Sequence, residues 1–400
     1  MSNPYKNLPE NAFWSPAVGH RHALDIDDLW TAKWPISPGN KIATFGSCFA
    51  QHFGRALSAR GFTWMASEMP PADLSEDRAM ALNFGVFTAR TGNIYTVSLL
   101  NQWVRWALGE PSPQDEIWEK EGRFYDPFRP AIEPGGFDSQ DEMLASRELT
   151  IEAFSRAIRT SDVFVFTLGL TESWWNTEQG YEYPMCPGTV AGTFSPERHE
   201  FRNQDYPFIS RQLMQAIRAI QAVNPKVRFL LTVSPVPLTA TNAGNHVLVA
   251  TTYSKSVLRA VAGRIADQFG FADYFPSYEI ISSPPYGGQF YEMNKRGVRA
   301  NGVDHVMAQF FSGLYKVYPT FAVQAAKRVI AQSSRGQSLN PLHSATAASK
   351  PNGVAEPTSA RGRKSPAGNA TGVQNADAGD LVCEEEMLAA FGPSDIKQGA

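Results

Sequence analysis

The chain has 400 residues, of which 43% are hydrophobic and 12% aromatic, so it can bury a large core. Its 36 basic and 39 acidic residues nearly cancel, and no basic stripe interleaved with aromatic residues occurs, which argues against a nucleic-acid partner. The polar, proline-broken start is unlike a signal peptide, and no apolar run approaches the roughly 18 residues of a spanning helix. These features predict a cytoplasmic protein without membrane insertion.

The three cysteines, Cys48, Cys186 and Cys383, lie far apart and form no C-x-x-C pair. The sequence therefore predicts neither a metal site nor a disulfide framework. Cys48 directly follows Ser47 and is a rival nucleophile, and its alternative role is that of a small buried core residue.

Apolar runs alternate with amphipathic helices from residue 41 onwards. The runs that indicate buried strands are KIATF, DVFVFTL, VRFLLTV and ADYFPS, and FTWMA is a further candidate. The first run leads into a helix in which Phe49, Phe53 and Leu57 recur every four residues. This alternation predicts an α/β fold, a three-layer α/β/α sandwich with a central, mostly parallel sheet.

We expect one domain over residues 1–332, with insertions around 103–146 and 173–206 that are rich in Pro, Gly or Trp. From residue 333 to 400 the chain is dominated by small and polar residues, which predicts a disordered low-complexity tail. Within the tail, residues 380–391 have the composition of a short helix. That helix is either a docking motif for an unknown partner or a frayed terminus.

Polar residues follow the predicted strands at the sheet edge where open parallel sheets bind ligands. Ser47 is the sharpest case, because it stands between a strand and a helix. Free N–H groups and the helix dipole favour negative charge there, as a nucleophile would need. Serine is also a preferred helix N-cap, so the junction alone leaves both roles open.

A serine nucleophile requires a base, which is usually a histidine held by a further group. His246 follows the loop after VRFLLTV, whereas His305 lies inside the last core helix. Glu172 follows DVFVFTL and either orients an imidazole, binds a sugar hydroxyl or caps a turn. Four tryptophans are candidates for a sugar-stacking face or for core packing: Trp103, Trp106, Trp174 and Trp175.

The segment FGSCFAQHFGRAL resembles the motif of the GSCFA family, which belongs to the SGNH/GDSL-like hydrolase superfamily. The similarity continues through NFGVFTARTGNIYT, VFVFTLGLTESWW and LLTVSPVPLTAT, over roughly residues 4 to 315. It implies an SGNH-hydrolase-like fold with the nucleophile at Ser47. It also implies an oxyanion hole made by the Ser47 N–H and a glycine N–H, with Gly92 as first choice and Gly85 as second, and by the Asn93 side chain.

Two positions depart from the superfamily pattern. Thr171 stands where an asparagine usually contacts the oxyanion or substrate, and Gly297 stands where the histidine base is usual. If the chain is a hydrolase, its base has moved, and His246 is the first replacement and His305 the second.

The resemblance therefore implies a serine-dependent esterase or O-acyltransferase that acts on acetyl or similar esters of a small carbohydrate or oligosaccharide. Ser47 would form the acyl-enzyme, His246 would accept its proton and Glu172 would orient the imidazole. No cofactor is expected, although acyl-CoA stays open as an acyl donor. The alternative is a non-catalytic protein that binds a saccharide or a nucleotide-sugar.

Overall fold

The computed structural model describes residues 3–334 and 383–392. The strands of this part are β1 Ile42–Gly46, β2 Trp118–Lys120, β3 Arg123–Tyr125, β4 Val163–Leu168, β5 Glu172–Asn176, β6 Glu182–Tyr183, β7 His199–Asn203, β8 Arg228–Val233 and β9 Ala272–Tyr274. Its α-helices are α1 Phe49–Ala59, α2 Glu76–Ala81, α3 Val97–Ala107, α4 Gln140–Thr160, α5 Tyr206–Val223, α6 Val247–Gln268, α7 Ser277–Ser282, α8 Ala300–Val317 and α9 Thr320–Ser334. A 3-10 helix spans Glu384–Phe391.

The main sheet is parallel and runs in the order β1-β4-β8-β9. Every residue of β1 and β4 is buried, and only Arg228 of β8 is exposed. Strands covered on both faces need such continuous apolar runs, which is why these segments fold as inner strands of an α/β sheet. The strands predicted from KIATF, DVFVFTL, VRFLLTV and ADYFPS are confirmed.

Two separate hydrophobic cores lie on the two faces of this sheet. Alternate residues of β4 enter different cores: Phe164 and Phe166 pack with α3, α4, α5 and α6, whereas Val163 and Val165 pack with α1, α7, α8 and α9. This alternation follows from the two-residue period of a strand. The fold is therefore the predicted three-layer α/β/α sandwich.

The segment FTWMA was predicted as a strand and forms only a single parallel bridge, between Trp64 and Ile42 at the edge of β1. The side chain of Trp64 also contacts β1, because its Nε1 donates to Thr44 Oγ1 at 2.9 Å. Farther along the chain, the segment 173–206 carries most of a second, antiparallel sheet of order β6-β5-β7, and the segment 103–146 contains the β2–β3 hairpin.

Gly46, the last residue of β1, has a backbone conformation that only glycine adopts easily, with φ at +129°. A Cβ atom at this position would stand 2.2 Å from the carbonyl oxygen of Thr167. Glycine therefore lets β1 turn sharply beside β4, and Ser47 follows at the tip of that turn.

In the two stretches that the structure covers, no helix combines the length and apolar character needed to cross a bilayer.

Candidate active site at the carboxyl ends of the strands

Ser47 lies between β1 and α1 and is buried, with 2% of its surface exposed. Its N–H donates to the Thr167 carbonyl at 3.1 Å, and its carbonyl accepts from the N–H of Ala50. Within residues 3–334 and 383–392, its Oγ has no hydrogen-bond partner. Ser47 therefore does not cap α1 through its side chain.

Ser47 shares a small cavity of about 10 Å³ with Gly92 and Asn93, so the structure brings these three predicted residues together. Gln51 also lines it, and its Nε2 donates to Asn93 Oδ1 at 3.1 Å, which fixes the orientation of the amide. Gly92 has φ at +67°. Gly85, the second choice, does not line this cavity.

A carboxylate from the far end of the chain occupies the position beside Gly92 and Asn93. Glu384, 2% exposed, accepts from the Asn93 N–H at 3.4 Å, from Asn93 Nδ2 and from the Tyr95 hydroxyl at 3.0 Å. A Cβ atom at Gly92 would stand 2.9 Å from Glu384 Oε1, so glycine leaves room for this oxygen. Burial raises the pKa of Glu384 despite these donors.

The next glutamate is held by a second set of donors. Glu385 accepts from the Thr239 N–H at 2.7 Å and forms an ion pair with Arg296, with Nη2 and Oε2 3.2 Å apart. The other terminal nitrogen of Arg296 pairs with Glu386 at 3.0 Å. Three consecutive glutamates thus anchor the helix Glu384–Phe391 at the strand ends.

Lys255 is a buried cation at the same edge of the sheet. It lies in α6, is 1% exposed, and its Nζ donates to the carbonyl of Gly169 at 2.8 Å. Gly169 follows β4 and approaches Ser47 so closely that an added Cβ would be 3.2 Å from the Ser47 Cβ. Burial lowers the pKa of Lys255 to about 8, against the attraction of Glu385.

The predicted histidines do not hydrogen-bond to Ser47. His246 is exposed, and its Nδ1 accepts from the Leu248 N–H at 3.2 Å, so it caps α6. His305 stacks on Phe290, with ring centroids 5.1 Å apart, and burial lowers its pKa. Neither ring is engaged with the proposed nucleophile in this structure.

The other predicted side chains already have partners. Thr171 is fully buried, and its hydroxyl donates to Asn203 Oδ1 at 2.7 Å. Glu172 accepts from the Thr241 hydroxyl at 2.5 Å and from the Asn242 N–H at 3.4 Å, and burial raises its pKa. Glu172 therefore holds the β8–α6 loop, and among the described residues it hydrogen-bonds to no imidazole.

A largely apolar cavity of about 450 Å³, within the usual size of ligand sites, is lined by the second sheet, the loops that follow β4 and β8, and the tail helix. Leu170 and Leu238 line one side, Trp174 lines the other, and Glu172 and Glu385 lie at its wall. The tail helix contributes Leu388 and Phe391 to the lining. Trp103 and Trp106 are 0% and 5% exposed and belong to the core, so they cannot form part of a sugar-stacking face.

Gly297 lines a third cavity, of about 590 Å³, together with Cys48, His52 and Cys383. Gly297 therefore lies in one cavity with the residue that directly follows Ser47. Burial and the neighbouring Arg55 lower the pKa of His52 to about 4, so its imidazole is neutral at physiological pH.

The sequence reasoning missed Lys255, Arg296 and Tyr95. A local signal existed for Lys255, because it shares a helix face with the buried residues Leu258 and Ala262, three and seven positions on. A lysine on the apolar face of an amphipathic helix marks a buried charge. Arg296 and Tyr95 carry no such signal, because their partners lie in the tail.

The GSCFA family model matches residues 41–310. The chain belongs to the GSCFA family. The match begins just before β1 and ends within α8, so it includes Ser47, Asn93 and Lys255 and leaves the tail of this GSCFA protein outside. No curated protein and no solved structure matches the chain.

Proposed function

We propose that this GSCFA protein is a serine-dependent esterase or O-acyltransferase that acts on acyl esters of carbohydrate through an acyl-enzyme at Ser47. The observation that carries the proposal is the donor set beside Ser47. Asn93 and Tyr95 bind the oxygens of a buried carboxylate next to the cavity that contains the unpaired Ser47 hydroxyl.

The Glu384 carboxylate stands in for the negatively charged oxygen of an acyl adduct. Attack of a serine on an ester carbonyl places charge on the carbonyl oxygen, and preorganised donors stabilise that charge. Asn93 offers its backbone N–H and its amide, and Tyr95 offers a hydroxyl. The Ser47 N–H, expected from the resemblance to be a third donor, is engaged with Thr167, so the hole we propose consists of Asn93 and Tyr95.

Lys255 is the proton acceptor that we assign to Ser47. Its amine has a pKa of about 8, close to the working pH of a general base. Among the described residues its Nζ does not hydrogen-bond to Ser47 Oγ, but it is held on the carbonyl of Gly169, which abuts Ser47. In the mechanism, Lys255 takes the hydroxyl proton as Ser47 attacks and returns it to the departing sugar oxygen. The acyl group then passes from Ser47 to water, which makes the protein a hydrolase, or to a second sugar hydroxyl, which makes it a transferase.

The carbohydrate part of the proposal rests on the 450 Å³ cavity. Its lining combines a tryptophan ring, Trp174, with carboxylates at Glu172 and Glu385. Aromatic rings pack against the apolar faces of sugars, and carboxylates accept hydrogen bonds from their hydroxyls.

Labelling by a fluorophosphonate tests the serine directly. We expect the full chain carrying Arg296→Ala, in which the tail is loosened, to be labelled at Ser47, and Ser47→Ala in the same background to lose the label. Cys48→Ala is the matched control, because it changes the neighbouring nucleophile and should keep the label. Absence of label in the Arg296→Ala chain, or label that persists after Ser47→Ala, would overturn the proposal.

A second set of variants tests the base. Lys255→Met should slow the labelling by about 10²-fold or more, the usual contribution of a general base. The rate in the Arg296→Ala background should rise with pH through about 8 and become flat in Lys255→Met. Met keeps the apolar stem, so circular dichroism should show a folded chain. A pH profile unchanged by the substitution would contradict the assignment.

The second candidate function is a saccharide or nucleotide-sugar binding protein without catalysis. It is favoured by the absence of any imidazole on Ser47 in the described part of the chain, and by Gly297 at the usual base position. Calorimetric titration with acetylated and deacetylated oligosaccharides distinguishes the two. Binding that survives Ser47→Ala, with no turnover of the acetylated ligand by the unsubstituted chain, would favour this function.

A further inference from the structure

Cys48 and Cys383 lie side by side although 335 positions separate them in the sequence, with their Sγ atoms 3.3 Å apart. Cys48 is buried at the start of α1, and Cys383 is half-buried at the start of the tail helix. Two sulfur atoms at this separation are in van der Waals contact, and a disulfide requires an approach to about 2.05 Å. A movement of little more than 1 Å would therefore join them.

The contact is held by the tail helix as a whole. Glu384 is bound by Asn93 and Tyr95, and Glu385 by Thr239 and Arg296. Donors from different parts of the domain thus bind two consecutive glutamates of this acidic segment. Docking by the glutamates brings the two thiols together before any bond forms.

We infer that Cys48 and Cys383 form a reversible disulfide that fixes the segment 383–392 over the Ser47 site. The disulfide would tie the tail to the residue that directly follows Ser47. Substrate needs the donors that Glu384 occupies, so the cross-linked form would be closed. The reduced form would exchange between docked and released tail.

The chemistry requires a two-electron oxidant, and a small-molecule disulfide of the glutathione type suffices. The Cys383 thiolate attacks one sulfur of that disulfide and releases one equivalent of small thiolate. The Cys48 sulfur then attacks the Cys383 sulfur of the mixed disulfide and releases the second thiolate. The two protein thiols lose two protons and two electrons, and the small disulfide becomes two thiols. A reducing dithiol reverses both steps.

The order of attack follows from the environment of the two sulfurs. Cys383 is partly exposed and meets the oxidant first. The hydrogen bond with Cys383, together with burial, raises the pKa of Cys48 well above its usual range, so Cys48 reacts slowly with external reagents. It reacts efficiently only with a sulfur that is already in contact.

Peptide mapping of the full chain tests the cross-link. After equilibration in mixtures of oxidised and reduced glutathione, non-reducing digestion should yield a linked pair of peptides containing Cys48 and Cys383, with Cys186 free. Arg296→Ala should slow this linkage at least about tenfold, because it removes the docking that raises the local thiol concentration. Arg105→Ala, which breaks an exposed ion pair with Glu110, is the matched control and should leave the rate unchanged.

Cys48 that remains free or glutathionylated at full oxidation, or that pairs with Cys186, would overturn the inference. Closure is measured separately, by cleavage with a glutamyl endopeptidase at residues 384–386. Oxidation should slow this cleavage at least about tenfold and Cys383→Ser should abolish the difference, since a covalent tether restricts release of the segment. Equal cleavage in both redox states would refute closure.

The effect on acyl transfer rests on the proposed function, whereas the peptide map and the cleavage do not. Fluorophosphonate labelling of Ser47 should fall on oxidation and return with a dithiol. Lack of labelling in either state, with the cross-link and protection present, would count against the proposed function alone. Labelling that proceeds equally in the cross-linked chain would contradict the closed state.

Discussion

Two clusters of buried carboxylates in this molecule have different partners: one lies within the domain, and the other joins the tail to the domain. In the first, Asp126 pairs with Arg129 and Arg147, and all three side chains are fully buried. In the second, Glu384 and Glu385 of the tail meet Asn93 and Arg296 at the strand ends. In the first cluster, Asp126 lies 3 and 21 positions from its two arginine partners. In the second cluster, Glu384 lies 291 positions from Asn93.

The pKa values of Asp126 and Glu384 are shifted in opposite directions. Burial alone would raise the pKa of Asp126, but Arg147 and Arg129 hold it below its usual range. Glu384 has neutral donors instead of arginines, and burial raises its pKa. Arginines thus neutralise Asp126 in the first cluster, whereas the neutral donors around Glu384 do not offset the cost of burying its charge.

The largest effect is expected at the scaffold cluster. Asp126→Asn leaves two arginines buried without a counter-charge and should lower the free energy of unfolding by about 3–5 kcal/mol. Urea denaturation followed by circular dichroism measures it. The control is Glu110→Gln, which removes one partner of a half-exposed pair and should cost less than about 1 kcal/mol. If Asp126→Asn and Glu110→Gln lower the free energy of unfolding by similar amounts, the buried cluster around Asp126 does not stabilise the scaffold more than an exposed ion pair does.

Arg296→Ala should release the tail without unfolding the domain. Loss of this partner leaves Glu385 buried and unpaired, which should weaken docking of the segment by about 2–5 kcal/mol. Amide hydrogen exchange of residues 384–391 should lose its protection, while the exchange of β4 and β8 stays the same. An equal loss of protection in the sheet would show that the second cluster is also part of the scaffold.

The two clusters should respond to acid in opposite ways. Because the docked pKa of Glu384 is raised, protonation favours docking, which is strongest below its free pKa and weakens as pH rises through the docked value. Lowering the pH from about 7 to about 5.5 should therefore increase protection of residues 384–391, and Glu384→Gln should remove this dependence. Glu385 is present in both the unsubstituted chain and Glu384→Gln, so a difference in the pH dependence of their protection is due to Glu384.

The depressed pKa of Asp126 gives the reverse sign for the scaffold. Its contribution to stability is present above the free pKa of an aspartate and is lost as pH falls through the lower folded value. The stabilisation by Asp126 should therefore be lost only at strongly acidic pH, below the interval in which the tail tightens. Loosening of the tail between pH 7 and 5.5 would contradict the assignment of Glu384.

The smallest effect is expected at Glu386. Its side chain is 60% exposed, and its pair with Arg296 contributes at most about 1 kcal/mol to docking. Glu386→Gln should change the hydrogen exchange of the segment far less than Arg296→Ala does. A loss as large as that of Arg296→Ala would mean that exposed and buried glutamates of the tail contribute alike.

The scaffold was readable from the sequence because its determinants are local. The apolar runs of β1, β4 and β8 sit next to the helices that cover them, and alternation along each strand dictates both cores. Phe62–Ala66 misled for the same reason, since its composition suits a strand but it pairs with β1 through a single bridge, and the Thr63 N–H donates to Pro38 instead.

The site was readable only where a strand end marks it. Ser47, Gly92 and Asn93 were predicted from their motifs, and the structure places them around one cavity. His246 was chosen for its loop position, and it caps a helix at the surface. The contacts of the tail could not be predicted, because the sequence around Glu384 contains no pattern that indicates its distant partner, Asn93.

Ser47 and Cys48 are consecutive, and this adjacency has an analytical consequence. Trypsin cleaves after Lys41 and after Arg55, so a single peptide carries both side chains. Mass spectrometry of that peptide would count acylated and cross-linked molecules in the same sample. If the closed form does not turn over substrate, no peptide should carry both the acyl group and the cross-link. Acylation of Ser47 and cross-linking of Cys48 can therefore both be followed on the same tryptic peptide.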